Sequence, residues 1–213
     1  RVLQLDQDTE GVVHRTIFSP DGQWASLHGY TKLKFVRSSG GPFAFIDDFP
    51  AFKSHDVQGE FSRDSTSFVA CKIIGEDARS LVRHYDLPAF GTTANLEIPP
   101  AMPNNGRWLV ATRQGALVVD KEEESYLVRR VELNGTFTPI AHLAGSIGWF
   151  EAGRDGSWMV ERVGRDVFLQ PLDDPDQPRQ RIHRFDRDVG WFKVHERFDW
   201  IQANEQGTQR SCL

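Results

Sequence analysis

Short apolar stretches alternate with turn-forming polar residues along the whole chain, without a helical periodicity of convincing length. The apolar stretch that ends at Ile17-Phe18 runs into a Pro20-Asp21-Gly22 turn, and the apolar segment 24–27 follows directly. Proline presets φ and glycine accepts a positive φ, so this turn favours a tight reversal between two strands. The pattern predicts an all-β chain built from small antiparallel meanders.

The same kind of turn recurs, followed by an aromatic residue, at intervals of about 40 residues, a period typical of repeat architectures. The copies read FSPDGQW, FSRDSTSF, PNNGRW, GRDGSW and a degenerate HERFDW, with aromatic anchors at Trp24, Phe68, Trp108, Trp158 and Trp200. We expect the first four anchors to lie in the strand that follows the turn, the second strand of their unit. Gly148-Trp149-Phe150 precedes Trp158 by the offset at which Gly190-Trp191-Phe192 precedes Trp200, which supports the last copy.

A variable loop then leads in four units to a third strand, predicted over 32–36, 81–85, 116–119 and 167–169. The segment 120–133 contains DKEEESYLVRR, which favours a helix, but apolar β-branched stretches lie on either side of its charges. We therefore predict a β-hairpin with a solvated acidic tip over 120–124. The chain is expected to form one domain, whose units cover approximately 10–50, 51–99, 100–143, 144–186 and an incomplete 187–213.

Three of the turn motifs, FSPDGQW, FSRDSTSF and GRDGSW, resemble the turn between the first two strands of WD-repeat-like β-propeller blades, including the bacterial PD-type repeats. The segment 79–91, with Tyr85-Asp86 where Trp-Asp often stands, is similar to the end of such a blade, and 165–174 is similar again. The Gly-His dipeptide of the best WD repeats is missing, so the chain resembles a divergent propeller. The resemblance implies four-stranded antiparallel blades and recognition of partners, mostly proteins, through the loops of one face.

The end of the chain affects this interpretation, because a propeller must close on itself to pair its strand edges. Arg210-Ser211-Cys212 matches Arg79-Ser80-Leu81, where a third strand begins, so the fifth unit is expected to stop inside a blade. One interpretation, which we favour, is a piece of a propeller of about six to eight blades. The other is a five-bladed propeller closed by the N-terminal strand 2–5.

The composition is unusual in its aromatic side chains, with fifteen Phe, six Trp and three Tyr among 213 residues. The net charge of −5 argues against electrostatic binding of nucleic acid, and no leader or run of 18 apolar residues is visible. Two cysteines, Cys71 and Cys212, are too few for a disulfide framework and suit a reducing compartment. We therefore expect a cytoplasmic protein that binds neither nucleic acid nor membranes.

No catalytic or metal-binding constellation stands out. His14 and His55 both precede a first strand, but no histidine pair has zinc-site spacing, and solvated loop histidines are the favoured interpretation. The nearest match to a GxSxG nucleophile elbow, 144–148, lies between strands of a meander rather than before a helix. The acidic runs 120–124 and 173–176 lack the ligand pattern of a calcium loop. We expect no cofactor, no metal and no catalytic residue.

Trp149 and Trp191 form a matched pair at the start of the predicted first strands of the last two units, where Arg15 and Gln58 stand in the first two. In a propeller, the start of the innermost strand lies near the mouth of the central channel, on the face where partners commonly bind. Tryptophan and arginine dominate binding hot spots, so these four are candidate partner-binding residues. Packing between units is the alternative, and we favour it for the two tryptophans.

The expected function is non-enzymatic binding by a scaffold or sensor that recognises a protein partner. Such a module is expected to serve as a regulatory part of a larger protein, beside further blades or domains of that protein. The alternative is a propeller that gates the active site of a serine peptidase or other hydrolase, with the catalytic residues beyond Leu213. A GxSxG motif after a downstream strand would discriminate between the two.

Overall fold

The computed structural model describes residues 13, 15–50, 57–75, 79–99, 107–144, 149–174, 177–187, 189–194, 201–205 and 208–212. Within these ranges the chain forms nineteen β-strands in five antiparallel sheets and no helix. The all-β class predicted from the sequence is therefore confirmed, and the successive meanders give a propeller-like arrangement.

The strands follow one another along the chain, and each sheet is complete before the next begins. The first sheet contains β1 (Arg15–Phe18), β2 (Trp24–His28), β3 (Lys32–Arg37) and β4 (Phe43–Asp48), and the second contains β5 (Gln58–Phe61), β6 (Ser67–Ile74), β7 (Arg79–Asp86) and β8 (Gly91–Ile98). The third contains β9 (Arg107–Thr112), β10 (Gly115–Lys121), β11 (Ser125–Glu132) and β12 (Phe137–Ala144). The fourth contains β13 (Trp149–Ala152), β14 (Trp158–Val163), β15 (Asp166–Pro171) and β16 (Gln180–Arg184), and the fifth contains β17 (Val189–Val194), β18 (Ile201–Glu205) and β19 (Thr208–Cys212).

Consecutive strands pair in every sheet, and one irregularity repeats. The register between the third and fourth strands shifts in each four-stranded sheet, at Phe35/Val36, His84/Tyr85, Val128/Arg129 and Val167/Phe168. A bulge of this kind increases the local twist of a sheet. The four sheets are therefore similar in backbone detail as well as in strand order.

The core lies between successive sheets, which pack face to face in chain order. Separate buried clusters join the first sheet to the second, the second to the third, the third to the fourth and the fourth to the fifth. The first cluster is the most aromatic. Phe35 of β3 lies at its centre, edge-on to Phe68 of β6 with ring centroids 5.0 Å apart, and 6.0 Å from the ring of Tyr85. Packing between sheets therefore consumes much of the aromatic content of the chain.

The aspartates of the repeated turn accept hydrogen bonds from within the turn. Asp64 accepts from the hydroxyl of Ser62 at 2.7 Å and from the backbone N–H of Thr66 at 3.1 Å. Asp21 and Asp155 accept equivalent N–H bonds at 2.9 and 3.0 Å. The hydroxyls of Ser62 and Thr66 and the N–H of Thr66 lower the pKa of Asp64 to about 2. These carboxylates stabilise the turns between the first and second strands.

In the third sheet, the strands differ by one from the prediction: residues predicted for the second and third strands form the first and second. Trp108 lies in β9, the first strand of that sheet, and the segment 116–119 lies in β10, the second. The turn after the first strand consists of Arg113 and Gln114, because Thr112 pairs with Gly115. This two-residue turn contains no aspartate and so does not resemble the repeated motif. The prediction instead assigned the turn to PNNGRW, which precedes the first strand of the sheet, and was therefore wrong by one strand.

The anchors Trp24 and Phe68 face opposite directions, although the sequence treats them as equivalent. Trp24 packs towards the second sheet, whereas Phe68 packs back towards the first. Strand pairing explains the difference: Phe68 occupies the position of Ala25, opposite the last residue of the first strand, and Ser67 occupies that of Trp24. A shift of one residue in a strand turns the side chain to the other face.

The hairpin predicted over 120–133 is present, since β10 and β11 pair from Gly115 to Lys121. Its solvated tip is shorter than expected, because Asp120 is buried. Asp120 accepts from the guanidinium of Arg107 at 2.5 Å and also from Arg129. The prediction that Asp120 is a solvated tip residue was therefore wrong: the carboxylate neutralises a buried arginine.

Several features named from the sequence lie outside the described residues. These are the fifth anchor Trp200, the N-terminal segment 2–5, His14, His55 and the segment 145–148. The fifth sheet does contain a third strand over Thr208–Cys212, where the sequence predicts one.

Candidate functional site

The first strands of all five sheets contribute to one cavity of about 460 Å³. Its lining includes Arg15 of β1, Gln58 of β5, Val110 of β9, Trp149 of β13 and Lys193 of β17. Cavities of this size are typical of sites that hold small ligands or peptide segments. The arrangement makes the five first strands the innermost ones, as a propeller-like fold requires.

A smaller cavity of about 120 Å³ adjoins the first and shares Gln58, Val110, Trp149 and Phe150 with it. Side chains from the second and third sheets, among them Ile73 and Trp108, complete its lining. Most of its exposed surface is apolar, and two tryptophans contribute to it. The two cavities together form a site with an apolar recess beside a polar chamber.

Four polar side chains around the larger cavity make no hydrogen bond or ion pair with any residue that the structure describes: Arg15, Gln58, Trp149 and Lys193. Gln58 is half-buried, and the other three are exposed to solvent. Polar groups in a folded protein are usually satisfied by other groups or by water. These groups are therefore free to meet a ligand, and three of the four can only donate hydrogen bonds.

Two carboxylates in the cavity wall are already engaged. Glu151 of β13 accepts from the backbone N–H of Val194 in the fifth sheet at 2.9 Å. Burial raises the pKa of Glu151, against the opposing effects of that hydrogen bond, Lys193 and Arg15. Glu60 of β5 is buried and lies 3.6 Å from the guanidinium of Arg154, in the turn between β13 and β14 of the fourth sheet. The first contact joins two neighbouring sheets, and the second joins the second sheet to the fourth across the cavity.

The structure places three of the four predicted partner-binding residues around one cavity: Arg15, Gln58 and Trp149. Trp191 lies on β17, two residues before Lys193, and its side chain is outside the described part of the chain. That these residues bind a partner stays a prediction. Glu151 and Lys193 are not among the residues predicted from the sequence, although each lies two residues after a matched tryptophan, the spacing that keeps side chains on one face of a strand.

The other chemical candidates gain no support from geometry. Among the described residues, no group of three or more His, Cys, Asp or Glu side chains is placed to hold a metal ion. Cys71 is buried, and burial strongly raises the pKa of its thiol. A thiol in that state is a poor nucleophile.

Comparisons with known proteins support the fold and no more. No protein-family model matches the chain, and no curated protein matches it at a significant level. A solved chain of the hydrazine synthase of Kuenenia stuttgartiensis superposes with a TM-score of 0.61 at 13% identity, over 92% of this chain and 69% of that one. A functionally unknown protein from Desulfotomaculum acetoxidans superposes with a TM-score of 0.64 at 11% identity, over 99% and 67%.

The fold is propeller-like. Altogether 559 solved chains match significantly, so the likeness does not single out one activity. In the part of the chain that the structure describes, no helix is both long enough and apolar enough to cross a membrane.

Proposed function

We propose that this chain is a non-enzymatic binding module that recognises a protein partner at the mouth of its central cavity. The observation that carries the proposal is the cavity itself, where the first strands of five sheets bring unpartnered polar groups together around Trp149. A surface arginine and tryptophan beside an apolar recess have the chemistry of an interface hot spot.

The finer assignments belong to the same proposal. We propose a WD-repeat-like propeller of the divergent bacterial type that serves as a scaffold or sensor within a larger protein; its support is the aspartate turn in three of the five sheets. We also propose a cytoplasmic location, because Cys71 is a free buried thiol, which suits a reducing compartment.

Affinity capture with matched variants tests partner recognition. Trp149→Ser removes an exposed aromatic side chain from the cavity, whereas Phe137→Ser removes one of equal exposure, 38% against 37%, from β12 away from it. We expect the wild type and Phe137→Ser to retain the same protein, and Trp149→Ser to lose it. Circular dichroism of all three verifies that each is folded.

Two results would contradict the proposal. One is capture that Trp149→Ser and Phe137→Ser weaken equally, because the interaction would then be non-specific adhesion to exposed aromatic side chains. The other is hydrolysis of a peptide by the purified chain itself, which would make it an enzyme.

A further inference from the structure

The unpartnered groups around the larger cavity are complementary to an anion. Arg15, Lys193 and the indole N–H of Trp149 can only donate hydrogen bonds, and Gln58 can both donate and accept. The cavity wall holds three cationic side chains, Arg15, Arg154 and Lys193, against two carboxylates, Glu60 and Glu151. An acceptor-only group that carries a negative charge, such as a carboxylate, fits this lining best.

Arg15 lines the larger cavity, which adjoins the recess. Its charge acts on Glu151, which lines the larger cavity, and on Cys71, which lines the smaller one. Gln58 and Trp149 line both. Gln58 and Trp149 thus connect the anion-binding groups of the larger cavity to the recess, and a ligand that fills both has to present a carboxylate and an apolar group close together.

The size of the recess limits that apolar group. A cavity of 150 Å³ lined by apolar side chains is large enough for benzene, so the recess of about 120 Å³ suits a branched aliphatic side chain. The larger cavity leaves room for a few further residues of a polypeptide. Only the last residue of a polypeptide has a backbone carboxylate next to its own side chain.

We propose that the site captures the C-terminal residue of its protein partner, with the terminal carboxylate on Arg15 and an aliphatic side chain in the recess lined by Trp108 and Trp149. This inference rests on the proposed function and names the part of the partner that is recognised. The carboxylates Glu60 and Glu151 do not cancel the attraction of the terminal carboxylate to Arg15, because Arg154 pairs with Glu60 and both Lys193 and Arg15 act on Glu151.

Calorimetric titration of the whole chain with acetyl-Gly-Gly-Leu tests the inference, with the same peptide as its C-terminal amide for comparison. We expect the free acid to bind with a dissociation constant on the order of 1 mM or tighter. The amide should bind about tenfold more weakly, since it lacks the charge that Arg15 recognises. Acetyl-Gly-Gly-Asp, whose side chain does not suit an apolar recess, should also bind more weakly.

Two variants assign the effect to Arg15. Arg15→Gln should weaken binding of the acid about tenfold and leave binding of the amide unchanged. Arg63→Gln is the matched control, because Arg63 is an exposed arginine in the turn at the opposite end of β5 from Gln58. It should bind both peptides as the wild type does.

Equal affinity for acid and amide would overturn the inference, as would no measurable binding of either. Acetate or isovalerate binding as tightly as the peptide would also overturn it, in favour of a site for small carboxylic acids. The proposed function is tested separately, with a captured partner whose own C-terminus has been amidated or extended. If the wild type still captures this altered partner and Trp149→Ser does not, the chain is a binding module but does not recognise a C-terminus.

Discussion

His28, at the end of β2, is a buried histidine that the fold keeps neutral. Its Nδ1 lies 3.1 Å from the carbonyl oxygen of Val57 in the loop before the second sheet, and its Nε2 lies 2.9 Å from the hydroxyl of Ser26. Burial, with a smaller effect from the charge of Arg15, lowers the pKa of His28 to about 4. The side chain thus links the first two sheets through hydrogen bonds of its neutral form.

The free energy of unfolding should therefore fall as the pH falls from 6.5 towards 4. The unfolded chain, in which the pKa is 6.5, binds more protons than the folded chain in this window, so acid favours unfolding. The loss attributable to His28 reaches about 3 kcal/mol at the acid end of the window.

Urea titrations of wild type and variants between these pH values measure the effect. His28→Asn should flatten the pH dependence, whereas the control His142→Asn should retain it, because His142 is an exposed residue of β12. Parallel curves for the wild type and His28→Asn would contradict the assignment.

Asp120 shows how far a single residue can depart from its sequence context. It begins an acidic run that the sequence predicts to be exposed to solvent, yet its carboxylate forms an ion pair with the buried guanidinium of Arg107. Arg107 also donates to the carbonyl oxygens of Ile98 and Pro99 at 3.4 and 2.9 Å, so it links the second and third sheets. Nothing in the order of residues distinguishes Asp120 from the glutamates that follow it.

Asp120→Asn should lower the free energy of unfolding by about 3–5 kcal/mol, because it leaves Arg107 buried without its counter-charge. Glu124→Gln, in the same hairpin but exposed, should change it by less than about 0.5 kcal/mol. Chemical denaturation of the two variants measures both free energies of unfolding. Equal values would show that the buried ion pair does not contribute to stability.

At the scale of the element, the turn motifs predict most of the meanders correctly. Pro-Asp-Gly and its variants mark the turn after the first strand in the first, second and fourth sheets, because a side-chain oxygen and a flexible backbone are needed there. In the third sheet, Arg113-Gln114 and Gly115 form this turn without the motif, so the strands predicted there are wrong by one. The bulges at the fourth strands leave no recognisable residue pattern.

Gly115 supplies the backbone conformation of this exceptional turn. Its φ is +149°, and a Cβ atom added there would clash with the backbone carbonyl oxygen of Val131. Gly22, in the first repeated turn, also has a positive φ, +70°, but the space around it is open.

Gly115→Ala should therefore destabilise the protein by about 3 kcal/mol, since backbone strain and a steric clash add. Gly22→Ala should cost about 1 kcal/mol, from strain alone. Thermal or urea denaturation compares the two, and a Gly115→Ala variant as stable as Gly22→Ala would show that β10 adjusts freely.

At the scale of the whole molecule, the proposed binding site combines residues that are far apart in the sequence. The repeat predicts that Arg15, Gln58 and Trp149 occupy equivalent places, and the structure brings them to one cavity. The two-residue spacing from Trp149 and Trp191 could have suggested that Glu151 and Lys193 join them, but a charged residue in a short strand looks the same whether it faces solvent or a cavity. The sequence could not show that Trp108 turns into the adjoining recess, since that depends on the strand offset of the third sheet.

We propose that the meeting point of the five first strands is a binding site. Heteronuclear NMR of the labelled chain, titrated with acetyl-Gly-Gly-Leu, tests it most directly. We predict shifts of the Trp149 indole N–H and the Arg15 guanidinium N–H signals, while the indole signal of Trp24, buried between the first two sheets, stays in place. Unchanged Trp149 and Arg15 signals at saturating peptide, or shifts confined to the turns at the opposite ends of the first strands, would contradict the claim.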